Sequence, residues 1–258
     1  MRKDKKKIGS HEVIKVSPYT HICVIGDIHE HPEQFFKLVD IYKPDQNHWL
    51  VSVGDVYDKG FGTKSAEQIT KYFMELQEEG IGFAVRGNHE LKTIKKNKKK
   101  CDFTKYLKWW NDQPMVITFE FPRGKRVCVL HAGVTPKMCS EHLANDIEVC
   151  YVRDVDAEGR MIPLVWQHID GEKCLVKARD GGRSWHEIYD GRFGYIVAGH
   201  VSQKDGLAKF YNYSCNLDTG VYETGKLSAQ VFLPNGNLGR LIEATGTPKK
   251  PELPKSFS

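Results

Sequence analysis

The sequence predicts an α/β chain in which two mixed β-sheets pack together with helices outside. Three observations predict it. Strand-like and helix-like segments alternate over the first hundred residues, and later segments are mostly strand-like between Gly, Pro and Asp turns. Five apolar runs also end in an Asp, Asn or His.

The first run, His21-Ile-Cys-Val-Ile25, reads as a buried strand that Gly26 turns sharply. Asp27 and His29 follow, two apart, so an extended backbone projects them to one side. That point, beyond a strand's carboxyl end, is where open α/β sheets place ligands. Residues 32–42 carry Phe35, Phe36, Leu38, Val39 and Tyr42 at spacings that suit a helix packed on a sheet. A second strand ends in Gly54-Asp55, and a helix with Ile69, Phe73 and Leu76 stops at Gly80. A third strand ends in Gly87-Asn88-His89. This order implies a parallel sheet with right-handed crossovers. After a helical patch at 103–112, strand-like segments fall at 115–121, 125–133, 195–200, 212–220, 227–233 and 239–245. One domain is expected over residues 13–245, between a basic flexible N-terminus (1–12) and a flexible tail (246–258).

Composition narrows the class. Hydrophobic residues make up 40% and charged residues 28%, as in ordinary soluble domains. No apolar run is long enough to span a bilayer, and no apolar stretch follows the basic N-terminus as in a secretory signal. Seven cysteines without a C-x-x-C argue for reduced thiols in the cytoplasm, against a disulfide framework or a thiolate zinc site. The net charge of +5 is local: residues 1–8 carry +4 and residues 92–100 carry +6, leaving the remainder at −5. The second tract holds six lysines, starts two residues after Glu90 and reads as a flexible cationic loop near the strand ends. There it either solubilises or attracts polyanions.

The strand ends together offer Asp27, His29, Asp55, Asn88, His131 and His200. Carboxylate, imidazole and amide donors without thiolates suit manganese, iron, zinc, cobalt or nickel, with manganese the first choice. Six are too many for one catalytic ion with an open position. They suit two ions sharing a carboxylate, about 3.5–4 Å apart, a pair that activates water for attack on phosphorus.

The stretches GDIHE, GDVYDKG, GNHE, HAGV and GH, in that order over about residues 22–201, resemble the signature of the calcineurin-like metallophosphoesterases. The likeness is to the phosphoprotein phosphatase branch, and the later CNLDTG and GKLSAQVF resemble its bacterial and phage members, which include diadenosine tetraphosphatases. The resemblance implies a dinuclear phosphoester hydrolase of the protein serine/threonine phosphatase type. Asp27 and His29 would hold one ion, Asp55 would bridge, and Asn88, His131 and His200 would hold the other. A metal-bound hydroxide would attack phosphorus while His89 protonates the leaving oxygen. Asp58 would orient His89, and Arg86 would clamp the phosphate.

Three departures from the pattern stand out: Glu30 for a glycine, Lys59 for the arginine of D-R-G, and Ser202 where many broader members have histidine. Lys59 keeps the phosphate-binding charge but loses the bidentate fork. A further phosphate-contacting arginine is expected among Arg153, Arg179 and Arg183. Arg179 is preferred, because Asp180-Gly181 suggests a hairpin tip over the site. Expected substrates are a phosphopeptide, a nucleotide or a small phosphoester. The alternatives are dinucleoside polyphosphate hydrolysis, or a non-catalytic protein that binds phosphate or nucleic acid. His31 reads as a surface residue near a helix start, and Trp109 and Trp110 as packing residues. Asp154, Asp156 and Glu158 imitate a calcium loop, but Val165 stands where its bidentate acid must fall.

Overall fold

The computed structural model describes residues 5–8, 10–100, 104–140, 143, 147–169 and 172–249. The chain opens with β1 (Lys5–Ile8) and β2 (His11–Lys15), paired antiparallel, so strand pairing begins inside the segment expected to be flexible. Then β3 (His21–Ile25), α1 (Pro32–Tyr42), β4 (His48–Ser52), α2 (Thr63–Glu78) and β5 (Gly82–Ala84) build the alternating half. β3, β4 and β5 are parallel neighbours, as the strand–helix order implied. α2 ends before Gly80, whose φ of 75° is left-handed.

α3 (Asn88–Lys100) and α4 (Lys105–Asp112) come next, so the lysine tract is helical and the expected loop is corrected. Lysine is a good helix former, and Ile94 on the same turn is buried in the main core. β6 (Val116–Glu120), β7 (Arg126–Leu130), β8 (Asp154–Val155), β9 (Leu164–Ile169), β10 (Glu172–Lys177), β11 (Arg183–Ser184), α5 (Trp185–Ile188) and β12 (Tyr195–Ala198) follow. β13 (Lys209–Phe210), β14 (Ser214–Asn216), α6 (Val221–Thr224), β15 (Lys226–Phe232) and β16 (Leu238–Thr245) complete the order.

Two mixed sheets result. One has the order β1-β2-β6-β7-β12-β14-β13, and the other β16-β15-β3-β4-β5. Side-chain alternation packs them. Val127 and Val129 of β7 face the core shared with Ile22, Val24, Leu50 and Phe83, while Cys128 and Leu130 face a second cluster with Trp185 and Tyr189. Trp109 and Trp110 are packing residues: their indole N–H groups donate to Gln77 and Thr70 of α2.

At the other end, Thr247 is tied to α1. Its amide donates to Glu33 Oε2 and its carbonyl accepts from Gln34 Nε2. Residues 250–258 of the expected tail lie outside the described residues. Among the described residues no helix is long and apolar enough to cross a membrane.

Candidate metal centre

The carboxyl ends of β3, β4, β5, β7 and β12 meet at one edge where the two sheets face each other. The turns beyond these strands are tight. Among the described residues eight non-glycines have positive φ, and six belong here: His29, Glu30, Asp55, Asp58, Lys59 and His200. Left-handed backbone costs a side chain on the order of 1 kcal/mol, and such strain gathers at functional sites. Two glycines make room for the carboxylates. A Cβ on Gly87 would lie 2.1 Å from Asp55 Oδ1, and one on Gly199 would lie 1.8 Å from Asp27 Oδ1.

Asp27, His29, Asp55 and His131 are buried, and their polar atoms converge. Asp27, Asp55 and His131 offer ligand atoms within 4.8 Å of one another, as do His29, Asp55 and His89, with Asp55 common to both groups. His29 Nδ1 donates to the Asp58 carbonyl at 3.1 Å. Its buried Nε2 has no hydrogen-bond partner and lies 3.8 Å from both Asp27 and Asp55. His131 Nδ1 donates to the Val53 carbonyl at 2.9 Å, which turns Nε2 toward Asn88 Oδ1 (2.9 Å) and Asp55 Oδ1 (3.4 Å). Asn88 Oδ1 also lies 3.1 Å from His200 Nδ1. The His200 amide donates to both Asp27 oxygens at 3.1 Å.

Burial makes this electrostatics severe. It drives the Asp27 carboxyl well above its usual range, and the nearby Asp218 carboxylate adds to the rise. Burial acts on Asp55 too, but the His131 and His89 imidazoles overcome it and hold Asp55 well below its usual range. His131 answers: burial pulls it down, Asp55 outweighs that, and its pKa stands at about 9. Burial, then the Lys59 ammonium, lowers His29 to about 3. Buried oxygens and an unpartnered imidazole nitrogen, with no thiolate among them, are the donor set of a divalent cation such as manganese, iron or zinc.

His89 sits at the rim. Its amide donates to Asp55 Oδ1 at 2.9 Å, and its Nδ1 pairs with Asp58 Oδ2 at 3.0 Å. Lys92 Nζ reaches the same Asp58 oxygen at 3.0 Å. The hydrogen bond from His89 is the main cause that holds the Asp58 carboxyl far below its ordinary range.

The calcineurin-like phosphoesterase family model matches residues 20–204. The chain belongs to that family. Among curated proteins it is 29% identical over 250 residues to the serine/threonine-protein phosphatase PP2A-like PPG1 of Candida albicans, covering 88% of this chain and 56% of that one. It is 26% identical over 196 residues to a provisionally assigned serine/threonine-protein phosphatase of Schizosaccharomyces pombe, covering 70% and 60%. The chain thus spans well under two thirds of the length of these relatives. Among solved structures, a provisionally assigned diadenosine tetraphosphatase superposes with a TM-score of 0.68 at 22% identity, covering 91% of this chain and 98% of that one. A Saccharomyces cerevisiae serine/threonine phosphatase with similarity to human PP5 gives 0.54 at 16% identity, covering 93% and 82%. Both share the calcineurin-like fold.

The residues expected from the sequence, Asp27, His29, Asp55, Asn88, His89, His131 and His200, stand together, with Asp58 beside His89. Arg86 lies half-buried beyond β5, its Nε buried without a hydrogen-bond partner. The arginine in contact with the cluster is Arg153, whose Nε donates to His200 Nε2 and whose terminal nitrogen donates to the His200 carbonyl, both at 3.1 Å. Arg179 instead pairs with Asp156 at 2.9 Å and donates to the Met161 carbonyl, on the exposed outer segment. Its supposed hairpin tip is a bend between β10 and β11, which pair with β9 and β8 and not with each other. Arg183 pairs with Glu187 on the surface.

Glu30 explains the missing glycine. It takes φ 60°, and its Oε2 accepts from the amides of Gly60 (3.1 Å) and Gly62 (3.0 Å), which offsets the strain. His31 is not at the surface. It is fully buried, its Nδ1 bonded to the His29 carbonyl and its ring against Phe61.

Sequence reasoning assigned no role to Glu90 and did not single out Asp218. The buried Glu90 carboxylate accepts from the amides of Asp55, Val56, Tyr57 and Gly87 at 2.7–3.1 Å. An acid in the first turn of α3, reaching back to orphan amides, was the available signal. Asp218 is buried, and its Oδ1 accepts from the Gly220 amide. No local pattern distinguishes it from a turn residue.

Proposed function

We propose that the chain is a phosphoester hydrolase that uses two divalent cations and dephosphorylates monoesters, phosphoserine and phosphothreonine peptides first among them. The reading is carried by the 3.0 Å pair between His89 and Asp58 beside the carboxylate common to both ligand groups. Asp58 fixes the His89 tautomer and ring direction, leaving Nε2 to give a proton to the oxygen that departs.

Asp27, His29 and Asp55 would hold one cation, and Asp55, Asn88, His131 and His200 the other, with manganese the first candidate. When bound, such ions stabilise charge on a phosphate and acidify water. The chain's own residues bind and orient. Arg86, Arg153 and Lys59 bring positive charge to the phosphate, and Glu90 holds the backbone of the turn that presents Asp55. Lys92, Lys95 and Lys96 on α3 extend that charge from Asp58, which suits polyanionic substrates. We assign the domain to residues 13–245. Six free thiols among the described residues support a cytoplasmic setting.

A second reading, cleavage of a dinucleoside polyphosphate, is favoured by the near-complete mutual coverage with the provisionally assigned diadenosine tetraphosphatase.

The test is product release by metal-stripped protein with and without manganese, on p-nitrophenyl phosphate, a phosphothreonine peptide and diadenosine tetraphosphate. Manganese-dependent turnover that falls about 100-fold or more in His89→Asn is the expected result, and the preferred substrate chooses between the readings. Tight manganese binding without turnover on any of the three would overturn both.

A further inference from the structure

Lys59 occupies the position where the resembled motif carries arginine, and its surroundings are specific. Its ammonium lies over the ring of Tyr222, 4.8 Å from the centroid. The same ring meets His29 edge-on, with centroids 5.4 Å apart. Lys59 leaves the backbone in a left-handed conformation (φ 69°), and its amide donates to Asp58 Oδ1 at 3.1 Å. Its stem therefore starts in a fixed direction. The ammonium is close enough to add to the burial that lowers His29.

Tyr222 itself is anchored. It lies on α6, a single turn bounded by Gly220 and Gly225, both left-handed, and closed by a 2.9 Å bond from the Gly225 amide to the Val221 carbonyl. A lysine is a point charge on a flexible stem, without the preorganised fork of arginine. Left free, it spreads over many rotamers, and holding it on a bound anion costs entropy. An aromatic face beneath the ammonium removes part of that freedom beforehand.

We propose that Tyr222 is a positioning residue whose ring holds the Lys59 ammonium over the Asp27, His29 and Asp55 cluster, where it takes a terminal oxygen of a tetrahedral oxyanion. The inference deepens the phosphoester reading and rests on it for the identity of the physiological anion.

The test titrates tungstate, a tetrahedral dianion, into manganese-loaded protein by calorimetry and measures KM and kcat for p-nitrophenyl phosphate in parallel. Tyr222→Leu, or Tyr222→Met should the leucine variant fail to fold, is expected to weaken tungstate binding about fivefold. KM should rise by a similar factor and kcat stay within about twofold. Tyr222→Phe, which keeps the ring face, is expected to recover the affinity. In a Lys59→Met background, Tyr222→Leu is expected to cause no further loss. Unchanged tungstate affinity in Tyr222→Leu overturns the inference, as does a full additional loss in the Lys59→Met background. No saturable tungstate binding by the wild-type chain also overturns it. If tungstate responds as expected but no ester is turned over, the placement of Lys59 stands and only the hydrolase reading falls.

Discussion

His131 and His186 are both buried imidazoles, and their surroundings push them in opposite directions. His131 lies 3.4 Å from Asp55 and is raised to about 9. His186 is stacked between Trp185 and Tyr211, bonded through Nδ1 to Ser214 Oγ, and burial alone lowers it to about 3. The contrast extends to their regions. At the strand ends, charged groups are gathered where water cannot screen them. In the outer segment from 147 to 191, charges are sent outward into exposed pairs such as Arg160 with Glu158 and Arg183 with Glu187. Surface pairs of that kind contribute about 0–1 kcal/mol. The strand ends instead gather Asp27, His29, Asp55 and His131 in a buried place, where each ionisable group strongly shifts its neighbours.

The strongest attempt to break this comparison removes the carboxylate common to both ligand groups. Asp55→Asn is expected to lower turnover of p-nitrophenyl phosphate on the order of 1,000-fold and to reduce the manganese bound per chain, read by metal analysis after dialysis. Retained metal and turnover would mean that the converging side chains are only a structural cluster.

Support of the turn comes next. Glu90→Gln replaces an acceptor of four amide hydrogen bonds with a group that turns an N–H toward some of them. Manganese affinity is expected to fall about 10- to 100-fold, measured by calorimetry. Unchanged affinity would mean that the turn carrying Asp55 keeps its shape without Glu90.

The two candidate arginines sharpen the boundary between the regions. Arg153→Ala, which removes the guanidinium beside His200, is expected to reduce kcat/KM about tenfold. Arg179→Ala, an exposed partner of Asp156, is expected to change it less than about twofold. The reverse ranking in steady-state assays would move the site's edge outward.

The smallest effect at neutral pH belongs to His186. The folded chain refuses a proton that the unfolded chain accepts between about pH 6.5 and pH 3. Its contribution is therefore fully present above pH 6.5 and is lost as the pH falls through that window. His186→Phe is expected to flatten the acid limb of Tm against pH and leave Tm at pH 7.5 nearly unchanged. A parallel acid limb would show that His186 takes up its proton in the folded state.

Short-range information made the cluster at the strand ends legible. An apolar strand, a residue that turns the chain and a donor at fixed spacing appear together in the sequence, so the gathering of Asp27, His29, Asp55, Asn88, His131 and His200 at the strand ends is legible there. The two mixed sheets followed from the same periodicity, because alternation decides which side chains face a core. The sequence alone determined the strands, the donors at their ends and the class of fold they build, and not which distant segments meet beside them.

Placing Arg153 against His200 and Arg179 against Asp156, burying His31 beneath Phe61, and setting Tyr222 under Lys59 all depend on segments distant along the chain meeting in space. Asp218 acquires its carboxylate neighbours in the same way. The physical reason is one of range. Backbone geometry dictates what residues two to four apart can do, but a buried charge is raised, lowered or held by whatever packing brings against it, and no local pattern records that neighbour.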